Sequence, residues 1–281
     1  MSQPVGMVER NRAVLRMAGS DARAVLQDVV TNNVEAVGPE TAVYAALLTP
    51  QGKYLSDFFL LDGGGGALLI DVAIAQAEDL ARRLQMYSLR RDVTLSHAKE
   101  LEIALVWSLD GDTADAPDAG ADAMILPDPR VAALGWRRYG PGAENWLAEN
   151  AVGPAETADR DALRIEHIVP ESGVELVPND TFILEAGFER LSGVDFRKGC
   201  YVGQEVTARM KHKTELRKGL VRVDLDSDLP PGTAIVNGGK PAGTLFSNRE
   251  GQGLAHLRFD RAREGMEADG TRVTLFTETA G

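Results

Sequence analysis

"RKGCYVGQEVTARMKHK", residues 197–213, carries the only cysteine of the chain, Cys200, between two glycines, Gly199 and Gly203. Lys198 precedes the thiol, and Arg209, Lys211 and Lys213 follow it. Glycine adopts backbone angles that side-chained residues resist, so a turn here can bring main-chain N–H groups close to a ligand. From Gln204 the pattern turns helical, with Val206 and Met210 at i and i+4. Cys200 then falls just before a helix N-terminus, where the helix dipole and the cations Arg197 and Lys198 would favour thiolate over thiol. Such a thiolate is a nucleophile, a redox sensor or a soft metal ligand. The plainer readings are a small buried apolar residue for Cys200 and a solvated face for the basic run.

The rest of the composition narrows the setting. The chain has 281 residues, 44% of them hydrophobic, and a formal net charge of -12. The length suggests about two domains with sizeable cores. Excess negative charge argues against generic nucleic-acid binding, although a local basic patch remains available. One cysteine makes no intramolecular disulfide, which points to a reducing compartment and, as an expectation, to the cytoplasm. The first residues carry Glu9, Arg10, Arg12 and Arg16 without an apolar run, unlike a secretory signal. The longest apolar stretch, "ALLIDVAIAQA", is broken by Asp71 and Gln76 and is too short to span a bilayer. No zinc site is legible among four scattered histidines and one cysteine.

Outward from the cysteine segment the chain mixes hairpins with single helices. "GSDARAVLQDVVTNNV" predicts a short helix capped by Ser20 or Asp21. "TAVYAALLTPQGKYLSDFFLLD" predicts a hairpin with Pro50 and Gly52 at the second and fourth turn positions. A further strand, "ALLIDV", leads into an amphipathic helix with Leu80, Leu84 and Tyr87 on one stripe. "DVTLSHA" and "ELEIALVW" read as strands, and "DGDTADAPDAGADAMILPDPR" as an exposed acidic loop. One short helix follows in "GPGAENWLAEN", and another is expected to start near Asp159 or Arg160. After about Leu216, short strands broken by "DLPPG", "NGG" and "NREG" predict a small antiparallel barrel or sandwich. The fold class read from this order is α+β.

The segment "KGCYVGQE" resembles the signature K-G-C-[FY]-x-G-Q-E of the YgfZ family of folate-binding iron–sulfur assembly proteins. "LQDVVTNNV", "LLTPQGKYLSDFFLL", "YSLRRDVTL" and "FILEAGFERLSGVDFRKGC" are similar to that family's other segments, in the same order. The family shares its fold with the T-protein of glycine cleavage, a tetrahydrofolate-dependent aminomethyltransferase. The resemblance implies two interleaved α+β lobes forming a folate cleft over residues 1–215, and a C-terminal β-barrel over 216–281. It implies a tetrahydrofolate-binding factor in assembly or repair of iron–sulfur clusters, with Cys200 as the reactive thiol and Lys198 as a second catalytic residue beside it. Glu166 matches the T-protein glutamate that holds the pteridine, because a carboxylate can accept two hydrogen bonds from an amino-pyrimidine edge. Glu185, Tyr201, Gln204, Glu205 and Arg209 complete the expected cofactor-binding set. The implied partners are folate and iron–sulfur client or carrier proteins, with a monomeric chain and neither membrane nor nucleic acid. Two alternatives stand beside this. One is a one-carbon transferase, for which Asp79 would align with the catalytic aspartate of the T-protein, although the Asn and Lys that accompany it there are missing. The other is a non-enzymatic scaffold linked to tRNA modification, using Arg209, Lys211 and Lys213.

Overall fold

The computed structural model describes residues 4–109, 115–150, 152–213 and 215–277. In chain order the first part contains β1 (Val5–Val8), β2 (Arg12–Ala18), α1 (Ala22–Val29), β3 (Val43–Leu48), β4 (Tyr54–Asp62), β5 (Leu68–Ala73), α2 (Ile74–Tyr87) and β6 (Thr94–His97). It continues through β7 (Glu102–Trp107), β8 (Met124–Pro127), β9 (Trp136–Gly140), α3 (Ala143–Glu149), β10 (Gly153–Pro154), α4 (Thr157–Glu166) and α5 (Gln204–Lys213). The last part is all strand: β11 (Lys218–Leu225), β12 (Ala234–Asn237), β13 (Lys240–Arg249), β14 (Gln252–Arg258), β15 (Met266–Ala268) and β16 (Thr271–Leu275).

Two five-stranded sheets form the first part, ordered β10-β1-β7-β9-β8 and β3-β4-β5-β2-β6. Consecutive strands β1 and β2 belong to different sheets, and so do β6 and β7. The chain therefore crosses between the sheets twice, which is the interleaving the sequence implied. Strand alternation sorts the side chains of β3 and β4. Tyr44, Ala46, Leu48, Phe59 and Leu61 face a core shared with Leu105, Trp107 and Tyr139 of the other sheet. Their neighbours Val43, Ala45, Leu47, Phe58 and Leu60 face α1 and α2 on the opposite side. With both faces covered, β4 is buried along all but its last residue, including the polar Ser56 and Asp57.

The hairpin turn forms as its residues dictate. The Thr49 carbonyl accepts from the Gly52 N–H at 2.8 Å, and Gly52 has φ +74°. On α2 the buried stripe is Ala77, Leu80 and Leu84, whereas Tyr87 is exposed. The cap of α1 differs from expectation. Asp21 makes no side-chain cap, because its carboxylate accepts from the Asp92 N–H and so ties the helix start to the turn before β6. Helix α4 begins earlier than expected, at Thr157, where Glu156 and Asp159 form a reciprocal capping box. The acidic loop gives way to the short edge strand β8, and β9 pairs beside it; neither was anticipated, because both are four or five residues long and interrupted by charge or proline. Residues 110–114 of that loop and the side chain of Lys213 lie outside the described residues.

The C-terminal strands close as a six-stranded barrel, β11-β14-β13-β12-β15-β16, around Val223, Ile235, Leu245, Leu257, Met266 and Val273. Closure leaves no free sheet edge, which settles barrel over sandwich. The barrel is fastened to the rest by the Leu220 N–H on the Glu185 carbonyl (2.7 Å) and the Ser247 N–H on Glu175 Oε1 (3.1 Å). No helix among the described residues is long and apolar enough to cross a membrane.

Candidate functional site

The cysteine loop is built on two close approaches. Gly203 has φ +83°, and a Cβ there would lie 2.6 Å from the Thr49 carbonyl oxygen. Gly52 faces the same contact from the other side: its Cβ would lie 2.8 Å from Cβ of Val206. The hairpin turn and the start of α5 thus touch backbone to backbone. Gly199 is different. Its φ is not in the left-handed region, and a Cβ there would meet open space.

Lys198 supplies the second fixing point. Its ammonium donates to the carbonyls of Gln27 (2.6 Å) and Val30 (2.5 Å), at the C-terminal end of α1. Those carbonyls have no partner within the helix, and a cation is favoured at that end of the helix dipole. Burial pushes the Lys198 ammonium down to about 8 against the opposing attraction of Asp28 and Asp195. The residue is buried and its charge is spent on α1, so its role beside the thiol is corrected to that of an anchor. Tyr201 is also buried, and burial pushes its phenol up to about 12. It packs in the inter-sheet core with the Lys198 ammonium 5.2 Å from its ring centre, in place of the expected cofactor contact. Between these two anchored side chains Cys200 is exposed, so it is not a core-packing residue.

A separate cavity of about 620 Å³ lies where α4, the starts of β2 and α2, and the barrel meet. Its floor is formed by Arg12, Arg130, Arg137 and Arg160, all with buried guanidiniums. Two buried carboxylates hold them. Asp71 accepts from Arg12, from Arg137 Nη2 (2.7 Å) and from the Tyr139 hydroxyl (2.7 Å). Asp128 accepts from Arg130 Nη2 (2.8 Å) and Arg160 Nη2 (3.3 Å). Burial would raise both carboxyls, but the guanidiniums outweigh it and hold Asp71 low and Asp128 well below the usual carboxylate range. The opposite wall carries Asp161 and Glu171, both partly solvated and both paired with Arg164.

The expected site residues do not converge on this cavity. Glu166 is exposed at the end of α4 and is not part of the lining, which follows Thr157, Asp161, Arg164 and Ile165. Successive helical residues turn by about 100°, so Glu166 falls off that stripe. Gln204 reaches back to the Gly199 carbonyl (3.4 Å), while Glu205 and Arg209 are exposed on α5. Lys211 is paired with Glu189, which partly neutralises the basic run. Glu185 lines a different, smaller cavity of about 260 Å³ beside the barrel. There Lys218 Nζ and His256 Nε2 each lie 3.4 Å from its carboxylate. Asp79 pairs with Arg82 and Arg83 on the outer face of α2; at the start of that helix the cavity meets Ile74 and Ala75 instead. Among the described residues no group of three or more His, Cys, Asp or Glu side chains is placed to hold a metal ion. The cavity arginines were missed by sequence reasoning. The signal available was a charged residue inside an apolar strand, as with Asp71 in "LLIDVA".

Two interleaved sheets joined to a closed six-stranded barrel make this a protein of T-protein-like fold. The glycine cleavage aminomethyltransferase T of Bartonella henselae superposes with a TM-score of 0.79 at 14% identity, covering 99% of this chain and 86% of that one. Residues 217–279 match the family described as the CAF17 C-terminal beta-barrel domain. The mouse iron–sulfur cluster assembly factor IBA57, mitochondrial, is 30% identical over 96% of this chain and 82% of its own length. The human IBA57 is likewise 30% identical, over 94% and 81%. The chain belongs to the IBA57 family of iron–sulfur cluster assembly factors. Both relatives are mitochondrial by name, which overturns the cytoplasmic expectation. That expectation rested on the single cysteine, which reports a missing disulfide and cannot tell one reducing compartment from another.

Proposed function

We propose that this protein acts in assembly or repair of iron–sulfur clusters, with Cys200 as a transient ligand or sulfur-handling thiol, as the YgfZ-like signature around it implies. The observation that carries the reading is the exposure of that thiol on a loop fixed by Gly203 and Lys198. A fixed but open thiol suits exchange with a carrier or client protein. One thiol cannot retain a cluster that needs about four ligands, so the remaining ligands come from that partner.

The cavity is the proposed seat of a tetrahydrofolate, and its donor set fits one. Glu171 and Asp161 line it as carboxylates able to accept from an amino-pyrimidine edge, the role first assigned to Glu166. Arg12, Arg130 and Arg160 can meet carbonyl or carboxylate oxygens of the same molecule. When bound, the folate would supply reducing equivalents, while the cavity walls orient it and limit water. A one-carbon transferase is disfavoured by the pairing of Asp79 with Arg82 and Arg83 away from this cavity.

The test has two parts. In cells depleted of the protein, Cys200→Ser should fail to restore aconitase or succinate dehydrogenase activity; full restoration removes the thiol from the mechanism. With purified protein, Glu171→Ala should weaken tetrahydrofolate binding by about tenfold or more, while Glu166→Ala leaves it unchanged. The reverse pattern would return the pterin to the end of α4.

A further inference from the structure

Residues 81–91, "ARRLQMYSLRR", carry four arginines and no acid in a chain of formal net charge -12. They run from the second half of α2 into the turn before β6. The Arg91 N–H donates to the Ser88 carbonyl (2.9 Å) and closes that turn, with Leu89 and Arg90 at its tip. Arg90 has φ +69°, a conformation that glycine or asparagine holds at less cost. Met86, Tyr87 and Leu89 are 55%, 40% and 74% exposed. Among the described residues eight large hydrophobic side chains are exposed, and these three fall within four positions. Beside Leu89 and Arg90 opens a small cavity of about 200 Å³, whose further apolar lining is Met17, Leu84, Val93 and Leu95.

The arginines differ in their commitments. Arg82 and Arg83 share one carboxylate, Asp79. Arg91 stands 3.9 Å from both Asp21 and Asp28. Among the described residues Arg90 has no ion-pair partner. Asp28 also ties this face to the cysteine loop, because it attracts the Lys198 ammonium that is fixed on the Gln27 and Val30 carbonyls. The last turn of α1 therefore meets both the 88–91 turn and the loop of the exposed Cys200. Val202, two residues after the thiol, packs on the same core as Leu84 and Val93. Clustered exposed apolar side chains mark an interaction site, and Tyr, Met and Arg are the residues enriched in protein interfaces. A pocket among them is the form that receives a partner's anchoring side chain.

We infer that Met86, Tyr87, Leu89 and Arg90 form the docking face for the protein that exchanges with Cys200. The segment that docks sets one apolar side chain among carboxylates. The apolar side chain enters the cavity beside Leu89, and the carboxylates meet Arg90 and its neighbour Arg91. A basic and apolar face also suits an anionic membrane. A lipid surface, however, presents negative charge on every side and repels a chain of net charge -12. A protein segment offers its carboxylates only where the arginines stand. The inference rests on the reading of Cys200 as an exchanging thiol, and the variants below separate the two.

Cells depleted of the protein are complemented with Leu89→Asp, Arg90→Glu, Arg90→Lys, Arg90→Gly or Cys200→Ser at matched protein levels, and aconitase and succinate dehydrogenase activities are read. Leu89→Asp and Arg90→Glu should lower each activity about fivefold or more, while Arg90→Lys restores it. Arg90→Gly separates docking from folding. It should fall short by about twofold or more although its Tm equals or exceeds that of the wild type, because glycine holds φ +69° without strain. Benzoylphenylalanine placed at Tyr87 should cross-link in living cells to one protein, through a peptide rich in Asp and Glu, and the adduct should vanish with Arg90→Glu. Full restoration by Leu89→Asp and Arg90→Glu beside a failing Cys200→Ser overturns the docking face and keeps the thiol reading. Restoration by Cys200→Ser sinks the thiol reading, and with it the claim that the docked protein exchanges there. A cross-link to a second copy of this chain, or to a peptide rich in Lys and Arg, overturns the docking face as well. So does binding of the full chain to phosphatidylglycerol vesicles that Leu89→Asp abolishes.

Discussion

Two glycines four residues apart in one motif should respond in opposite ways to the same substitution. At Gly203, alanine must hold φ +83°, which costs about 1–2 kcal/mol for a residue bearing a Cβ. The added Cβ would also sit 2.6 Å from the Thr49 carbonyl oxygen and 3.0 Å from the Leu48 Cβ. Neither neighbour can yield easily, since Thr49 closes the hairpin turn and Leu48 is fully buried. Relieving such an overpacked contact adds about 1–3 kcal/mol. Gly203→Ala is therefore expected to lose about 2–5 kcal/mol, which for a chain of this size lowers Tm by roughly 5–15 °C. At Gly199 the backbone is outside the left-handed region and the Cβ meets nothing within 4 Å. Gly199→Ala should leave Tm within about 2–3 °C, or raise it slightly by stiffening the unfolded chain. Differential scanning calorimetry of both variants decides the matter. Equal Tm values for the two would refute the contact between the hairpin turn and the start of α5. Labelling of Cys200 with a thiol reagent adds a second reading: it should accelerate in Gly203→Ala if that contact is what fixes the loop.

Two further outcomes follow from the buried charges. The Lys198 ammonium is held down to about 8, so between pH ~8 and ~10 the unfolded chain binds more protons than the folded one and stability should rise with pH. Lys198→Met should abolish that rise in urea unfolding and cost about 1–3 kcal/mol at neutral pH, because the Gln27 and Val30 carbonyls lose their donor; an unchanged slope would place the ammonium in water. Asp71 and Asp128 are both held low, so their stabilisation is complete above pH ~4 and is lost as pH falls further, through the folded-state values. Asp71→Asn should cost about 3–5 kcal/mol at neutral pH by leaving Arg12 and Arg137 without their shared anion, and should flatten the acid limb of the stability curve; a loss under 1 kcal/mol would mean that water reaches the pair.

The sequence by itself determined the local elements. Flanks rich in β-forming residues, with Pro50 and Gly52 in the turn, specified the hairpin of β3 and β4, and Leu80 with Leu84 specified the buried face of α2. Turn residues at short intervals specified the strands of the barrel, and the motif around Cys200 marked the loop that carries the thiol. These features are legible because each depends on residues within a few positions of one another. The tertiary structure alone decided the rest. Arg12, Asp71 and Arg137 lie on three strands, and they meet only because the chain crosses twice between its sheets. Lys198 points to α1 and not to Cys200, because the carbonyls it satisfies come from a helix about 170 residues earlier in the chain. Glu166 misses the cavity by one position on α4, because a step of about 100° around a helix separates the lining from the solvent face. A motif fixes which groups are present, but the phase of a helix and the partners of a buried charge are set by everything packed around them.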